Sequence, residues 1–107
     1  MMNQVIIVGR ILNDLGTREK DEALKITIAV NRSWKNSEGI YENDYIDCVL
    51  YGAIIENVAK YCKKGDVIGV KGRLRTTMVS NSEGCETKIT EVVAETITFL
   101  SRGKEEN

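Results

Sequence analysis

From Leu24 to Asn31 apolar and polar side chains alternate. Ile26, Ile28 and Val30 fall on one face, and Lys25, Thr27 and Ala29 on the other. A period of two is the signature of a half-buried strand. The same period predicts a strand from Tyr45 to Tyr51, with Ile46, Cys48 and Leu50 set against Tyr45, Asp47, Val49 and Tyr51. Val67–Val79, VIGVKGRLRTTMV, sorts Ile68, Val70, Leu74 and Met78 to one side, with Gly72 between them, and Lys71, Arg73 and Arg75 to the other. Gln4–Leu12 contains the apolar run VIIVG, which suits a strand buried on both faces. Thr87–Leu100 is long and rich in Val, Ile and Thr. One stretch is helical: within Ala53–Cys62, the residues Ile54, Ile55, Val58, Tyr61 and Cys62 recur at spacings of three and four, with Gly65 expected as the C-terminal cap. Asn13–Glu22 and Asn36–Asn43 are polar and predict loops, which leaves Tyr41 in a loop. Ser37-Glu38-Gly39 marks a turn, and Asn81-Ser82-Glu83-Gly84 a hairpin turn. No internal repeat or linker stands out, and Ser101–Asn107 is expected to fray.

Three strands, one short helix between the third and fourth strands, then two more strands predict an all-β fold with one helix. This is the order of the OB-fold, a five-stranded Greek-key barrel whose second and third strands, with loops one-two and four-five, commonly hold oligonucleotides. The 107 residues suit one domain, expected over residues 1–101, with 102–107 a flexible end. Apolar residues make up 42% of the chain, which excludes a disordered composition. No apolar run reaches the length of a membrane span, and the start lacks a signal-peptide pattern, so the expected location is the cytoplasm.

The three cysteines are widely spaced and histidine is absent, so neither a metal site nor another cofactor is expected. Without histidine, acid–base work would fall to scattered carboxylates or lysines, and no nucleotide-hydrolysis or protease motif occurs; the chain does not read as an enzyme. The net charge of −1 counts against a nucleic-acid binder taken as a sum. Its distribution changes the picture. Acids gather at Glu19–Glu22, Glu83–Glu86 and Glu105–Glu106, whereas Arg32–Lys35 and Lys71–Arg75 carry only cations.

Trp34, the sole tryptophan, stands among Arg32, Ser33, Lys35 and Asn36. A ring in such surroundings reads as a base-stacking platform flanked by the phosphate-binding charges Arg32 and Lys35, or as an indole folded over the barrel edge. Strict alternation from Ile26 would turn Trp34 inward, so the strand must bend or end near Arg32 for stacking. Tyr45 and Tyr51 share the face opposite Ile46, Cys48 and Leu50, and suit either stacking or amphipathic capping. Asp47 between them calls for a cationic neighbour. Lys71, Arg73 and Arg75 project in a row at about 6.6 Å spacing, either a phosphate-tracking groove or a solvated strand face. Arg10 and Lys88 add single cations.

Several segments, taken together, resemble bacterial single-stranded DNA-binding proteins of the OB-fold tetramer family. Asn3-Gln4-Val5 through Gly9-Arg10 is similar to the family's first strand. Ala29-Val30-Asn31-Arg32 with Trp34, and Tyr45-Ile46-Asp47 through Leu50-Tyr51-Gly52, resemble its second and third strands. Asn57-Val58-Ala59-Lys60-Tyr61, Gly72-Arg73-Leu74 and Thr90-Glu91-Val92-Val93-Ala94 resemble its later signatures. The resemblance implies sequence-tolerant binding of single-stranded DNA in replication, recombination and repair, without a cofactor, by a homotetramer or dimer. It makes Trp34, Tyr45 and Tyr51 the stacking rings. Two family positions depart: Val79 stands where an aromatic is common, and Lys88 where tyrosine is frequent. Family members usually end in an acidic partner-recruiting tail; the sequence stops at Glu105-Glu106-Asn107, as either a trimmed core or a short member, and partners that recognise such tails are not expected. A primosomal-type protein-interaction module, a single-stranded RNA binder and a nuclease are the competing readings.

Overall fold

A computed structural model describes residues 1–15 and 23–103. The chain runs β1 (Val5–Ile11), β2 (Leu24–Lys35), β3 (Tyr41–Leu50), α1 (Ala53–Tyr61), β4 (Val67–Ser80) and β5 (Glu86–Ser101). The strands close into a barrel in the order β1-β2-β3-β5-β4. All neighbours are antiparallel except β3 and β5, whose parallel pairing joins Cys48 to Val92 and Val49 to Val93. This is the expected five-stranded barrel with its helix between the third and fourth strands. The acidic run Glu19–Glu22 and the final residues 104–107 lie outside the described residues, and the expected loop Asn13–Glu22 and flexible end 102–107 lie partly outside them.

Alternation fills the barrel. Ile11, Ile26, Ile28, Leu50, Ile68 and Val70 are fully buried, joined by Cys48 and, from the helix, Ile55 and Val58. Each large side chain removed from water contributes about 1.5–3 kcal/mol. Burial, with a smaller contribution from the charge of Asp47, pushes the Cys48 thiol up to about 11, as suits a core filler. The run VIIVG is not buried on both faces as expected. Ile7, Gly9 and Ile11 turn inward, while Ile6 and Val8 are 70% and 51% exposed. The helix ends on Cys62 as its cap, not Gly65, and Tyr61 is exposed instead of lying on a buried face.

β4 and β5 extend past the barrel as a two-stranded arm. Pairing of β1 with β4 ends at Val5 opposite Gly72, where a Cβ would sit 2.1 Å from the Val93 carbonyl oxygen. Only glycine permits that approach. Opposite it β5 carries an extra residue, since Lys71 pairs with Thr96 and Gly72 with Ala94; such a bulge sharpens the local bend. Beyond Gly72 no layer among the described residues covers the arm's inner side, so Leu74 and Met78 are exposed, contrary to the expected apolar burial. The Asn3 amide continues the β1 edge by donating to the Leu74 carbonyl and accepting from its N–H, both at 2.9 Å.

The two hairpins close with one and the same turn, a repeat the chain was not expected to hold. Asn36-Ser37-Glu38-Gly39 and Asn81-Ser82-Glu83-Gly84 adopt matching geometry. The Asn36 side-chain oxygen accepts from the N–H groups of Glu38 and Ile40, and that of Asn81 from those of Glu83 and Cys85. Gly39 and Gly84 take the left-handed conformation, at φ 77° and 81°. Asparagine favours this because its side chain imitates a backbone turn. At the other pole the chain does not fray at once after Ser101. Buried Asp66 accepts from the N–H groups of Lys63 and Gly103 and from Arg102. Burial alone would raise its pKa; the two N–H donors and the Arg102 charge outweigh it and hold the carboxyl below its ordinary value.

Candidate nucleic-acid interface

The sheet register lines up three residues across three strands. Arg10 on β1 pairs with Ala29 on β2, and Ala29 pairs with Tyr45 on β3. All three belong to the outer face, because their neighbours Ile11, Ile28 and Ile46 turn toward the core. A methyl group thus lies between a guanidinium and a phenol ring. The low centre leaves a groove of ≈ 380 Å³, lined by Val8, Arg10, Ala29, Asn31, Asn43 and Tyr45 among others. Tyr45 is 67% exposed. One Arg10 nitrogen, Nη1, donates to the Gly65 carbonyl, which tethers the side chain and leaves its other donors for a ligand. Asp47, two residues on, accepts from the Thr27 hydroxyl at 2.8 Å; its neighbour is this hydroxyl and not the expected cation.

The outer face continues through β5 to β4. Val49 pairs with Val93, and Val93 with Arg73. Both valines are buried yet stand outside the inner cluster, so they floor the outer face. Lys71, Arg73 and Arg75 keep one parity along β4, as expected. Lys71 and Arg73 are exposed and form no ion pair among the described residues. Arg75 differs. Its Nη2 donates to Glu91 Oε1 at 2.5 Å, and its guanidinium lies 5.4 Å from the centre of the Tyr51 ring. The Glu91 hydrogen bond, then Tyr51, pushes the Arg75 pKa further above its ordinary value. It is not the open cation that the row of three implied.

Two other cations do not join this face. Arg32 donates to Asp44 and Glu42, with its shortest contacts at 2.8 and 2.9 Å. Those acids alternate with Tyr41, Asn43 and Tyr45, so the cluster belongs to the opposite side of the hairpin. The Asp44 hydrogen bond and charge raise the Arg32 pKa. Two carboxylates already meet this guanidinium. Lys88 pairs with Met78, while Arg73 and Arg75 pair with Val93 and Glu91. Alternation therefore sets Lys88 on the face opposite the β4 cations. Val79 shares their face and is exposed.

Trp34 lies inside β2, which runs on to Lys35 instead of ending near Asn31. The ladder shifts register there: Asn31 pairs with Asn43 and Lys35 with Tyr41, so three residues of β2 face the single residue Glu42 and strict alternation from Ile26 no longer fixes the side of Trp34. Trp34 is 65% exposed. Tyr41, expected in a loop, opens β3 on the side of Tyr45, and the Lys35 ammonium lies 5.6 Å from its ring centre. The alternation Tyr41-Asn43-Tyr45 was the signal for it, masked by the polar composition of Asn36–Asn43. Among the described residues, no three His, Cys, Asp or Glu side chains gather as metal ligands, and no helix is long and apolar enough to cross a membrane.

Residues 2–100 match the model of the single-strand binding protein family. Single-stranded DNA-binding protein B of Bacillus subtilis is 43% identical over 94% of this chain and 91% of its own length. The chain belongs to the single-strand binding protein family. A single-stranded DNA-binding protein of Halalkalibacterium halodurans is 42% identical, and the chain spans 61% of that protein, short of two-thirds. Among solved structures, the Plasmodium falciparum SSB in complex with ssDNA aligns at a TM-score of 0.80 with 21% identity, covering 94% of this chain and 97% of that one. The mitochondrial single-stranded DNA-binding protein of S. cerevisiae aligns at 0.70 with 20% identity, over 96% and 100% of the two chains. These distant structures share the barrel fold.

Proposed function

We propose that this chain binds single-stranded DNA with little sequence preference, as a cytoplasmic, non-enzymatic protein that shields single strands during replication, recombination and repair. The observation that carries the reading is the Arg10–Ala29–Tyr45 row. It offers a cation for phosphate, a low floor for the chain of nucleotides and an exposed ring for a base, side by side. Tyr45, Trp34 and Tyr51 serve as stacking platforms, each worth about 1–3 kcal/mol. Lys71, Arg73, Arg10 and Lys35 supply phosphate contacts. Arg32 and Lys88, paired or turned away, contribute general field only.

The same reading includes self-assembly, as a homotetramer or dimer. The open apolar side chains of Ile6 and Val8 on β1 support it, since water-exposed isoleucine and valine in a row favour cover. Light scattering of the purified chain tests this, with a single-chain mass as the contrary result.

Trp34 fluorescence provides the test of binding. Oligo-dT, oligo-U and duplex DNA are titrated at two salt concentrations. Quenching by oligo-dT, with a log–log salt slope of about −0.7 per phosphate contacted, and little response to duplex, is the expected result. Equal affinity for duplex would overturn the reading, and clear preference for oligo-U would redirect it to RNA.

A further inference from the structure

Arg75 shares strand and face with Lys71 and Arg73 but not their circumstances. Glu91, its partner across β5, has a side chain only 5% exposed. Arg75 Nε is itself buried without a hydrogen-bond partner. With Nη2 tied to that carboxylate and Nε enclosed, the guanidinium has chiefly Nη1 left for a ligand, and carrying it over to a phosphate would leave a buried carboxylate unpaired, an expensive exchange. What it does instead is lie over Tyr51, a half-exposed ring just past the end of β3, followed by Gly52 in the left-handed region. Nothing in the strand ladder orients that ring. The guanidinium lies on one side of the ring, Glu91 holds it in place, and the ring stays 48% exposed.

We infer that Arg75 and Glu91 are positioning residues, which pre-orient Tyr51 as a one-sided stacking platform, and that Arg75 is not a phosphate contact. An aromatic ring already held in its bound orientation loses less freedom when a base stacks on it. A planar cation on the far side adds an attraction that ammonium on a flexible stem does not reproduce. The inference rests on the proposed role of Tyr51 in single-strand binding.

The decisive variant is Glu91→Gln, because charge and positioning predict opposite signs. Removing a negative charge beside the site should tighten DNA binding, and a freed Arg75 taking a phosphate would steepen the salt slope by about 0.7. Positioning predicts weaker oligo-dT binding, by about three- to tenfold, with the slope unchanged. Arg75→Lys keeps the charge and should lose affinity to a similar degree, again at constant slope. On a Tyr51→Leu background Arg75→Lys should cost nothing further, since contacting residues are coupled. Thermal unfolding confirms that each variant folds; should Glu91→Gln not fold, Arg75→Lys and its double variant decide. Unchanged or tighter binding by Glu91→Gln, wild-type affinity of Arg75→Lys, or an additive loss in the double variant would overturn the inference. Tyr45→Ala separates the two failures. If it weakens binding while the Arg75 variants do not, single-strand binding stands and only the positioning role falls. Wild-type binding by both Tyr45→Ala and Tyr51→Leu would reject the stacking reading itself, and with it this inference.

Discussion

The β2–β3 and β4–β5 hairpins share one turn sequence and one turn geometry, yet carry different chemistry. The first presents Trp34, Tyr41 and Tyr45, all exposed, and neutralises its acids Glu42 and Asp44 with Arg32 on the other side. The second presents Lys71 and Arg73 near the barrel, and Met78, Val79 and Lys88 toward its tip, with no aromatic side chain between Leu74 and Lys88. A turn motif therefore sets the register at the tip of an arm, and nothing of what the arm touches. Exposed aromatic rings are concentrated on one hairpin, and Lys71 and Arg73, without ion pairs among the described residues, on the other. Arg75 stands on the cationic arm but serves the ring of Tyr51 on the aromatic side.

The largest test of that division is Tyr45→Ala. The ring is exposed, so folding should survive, while oligo-dT affinity falls by about 1–3 kcal/mol at an unchanged salt slope. A flattened slope would mean that the two hairpins do not divide stacking from charge. Val79→Tyr asks whether the poorer arm lacks only an aromatic. The position is exposed and shares a face with Arg73, so a ring there should tighten binding by about 1 kcal/mol, the low end for a stacked base. Equal affinity would place the tip of the second arm off the nucleotide path. The cationic side is probed by Arg73→Ala against Lys88→Ala. The first should flatten the log–log slope by about 0.7 and the second should leave it nearly unchanged, because Lys88 faces the other way. Equal flattening would show that the arm is gripped from both sides. The smallest effect belongs to Arg32→Ala. Exposed ion pairs contribute little, so stability and affinity should fall only slightly with the slope intact. A slope change like that of Arg73 would return Arg32 to the list of phosphate contacts.

Much of this was legible along the chain. Period-two alternation at Ile26, Ile28 and Val30, and again at Ile46, Cys48 and Leu50, settles which side chains line the barrel, because a strand has only two faces. The helix between β3 and β4, the turn at Asn81 and the common face of Tyr45 and Tyr51 follow from equally local rules. Pairing across strands is another matter. That Ala29 leaves a hollow between Arg10 and Tyr45, that Glu91 captures Arg75, and that Arg32 is held by Glu42 and Asp44 depend on register. So does the exposure of Leu74 and Met78, which comes from β1 ending its pairing at Gly72. Alternation assigns each residue a face within its own strand, but a shift or bulge in a neighbour decides what lies beside it. In this barrel those contacts separate a cation open to phosphate from one already bound to a carboxylate.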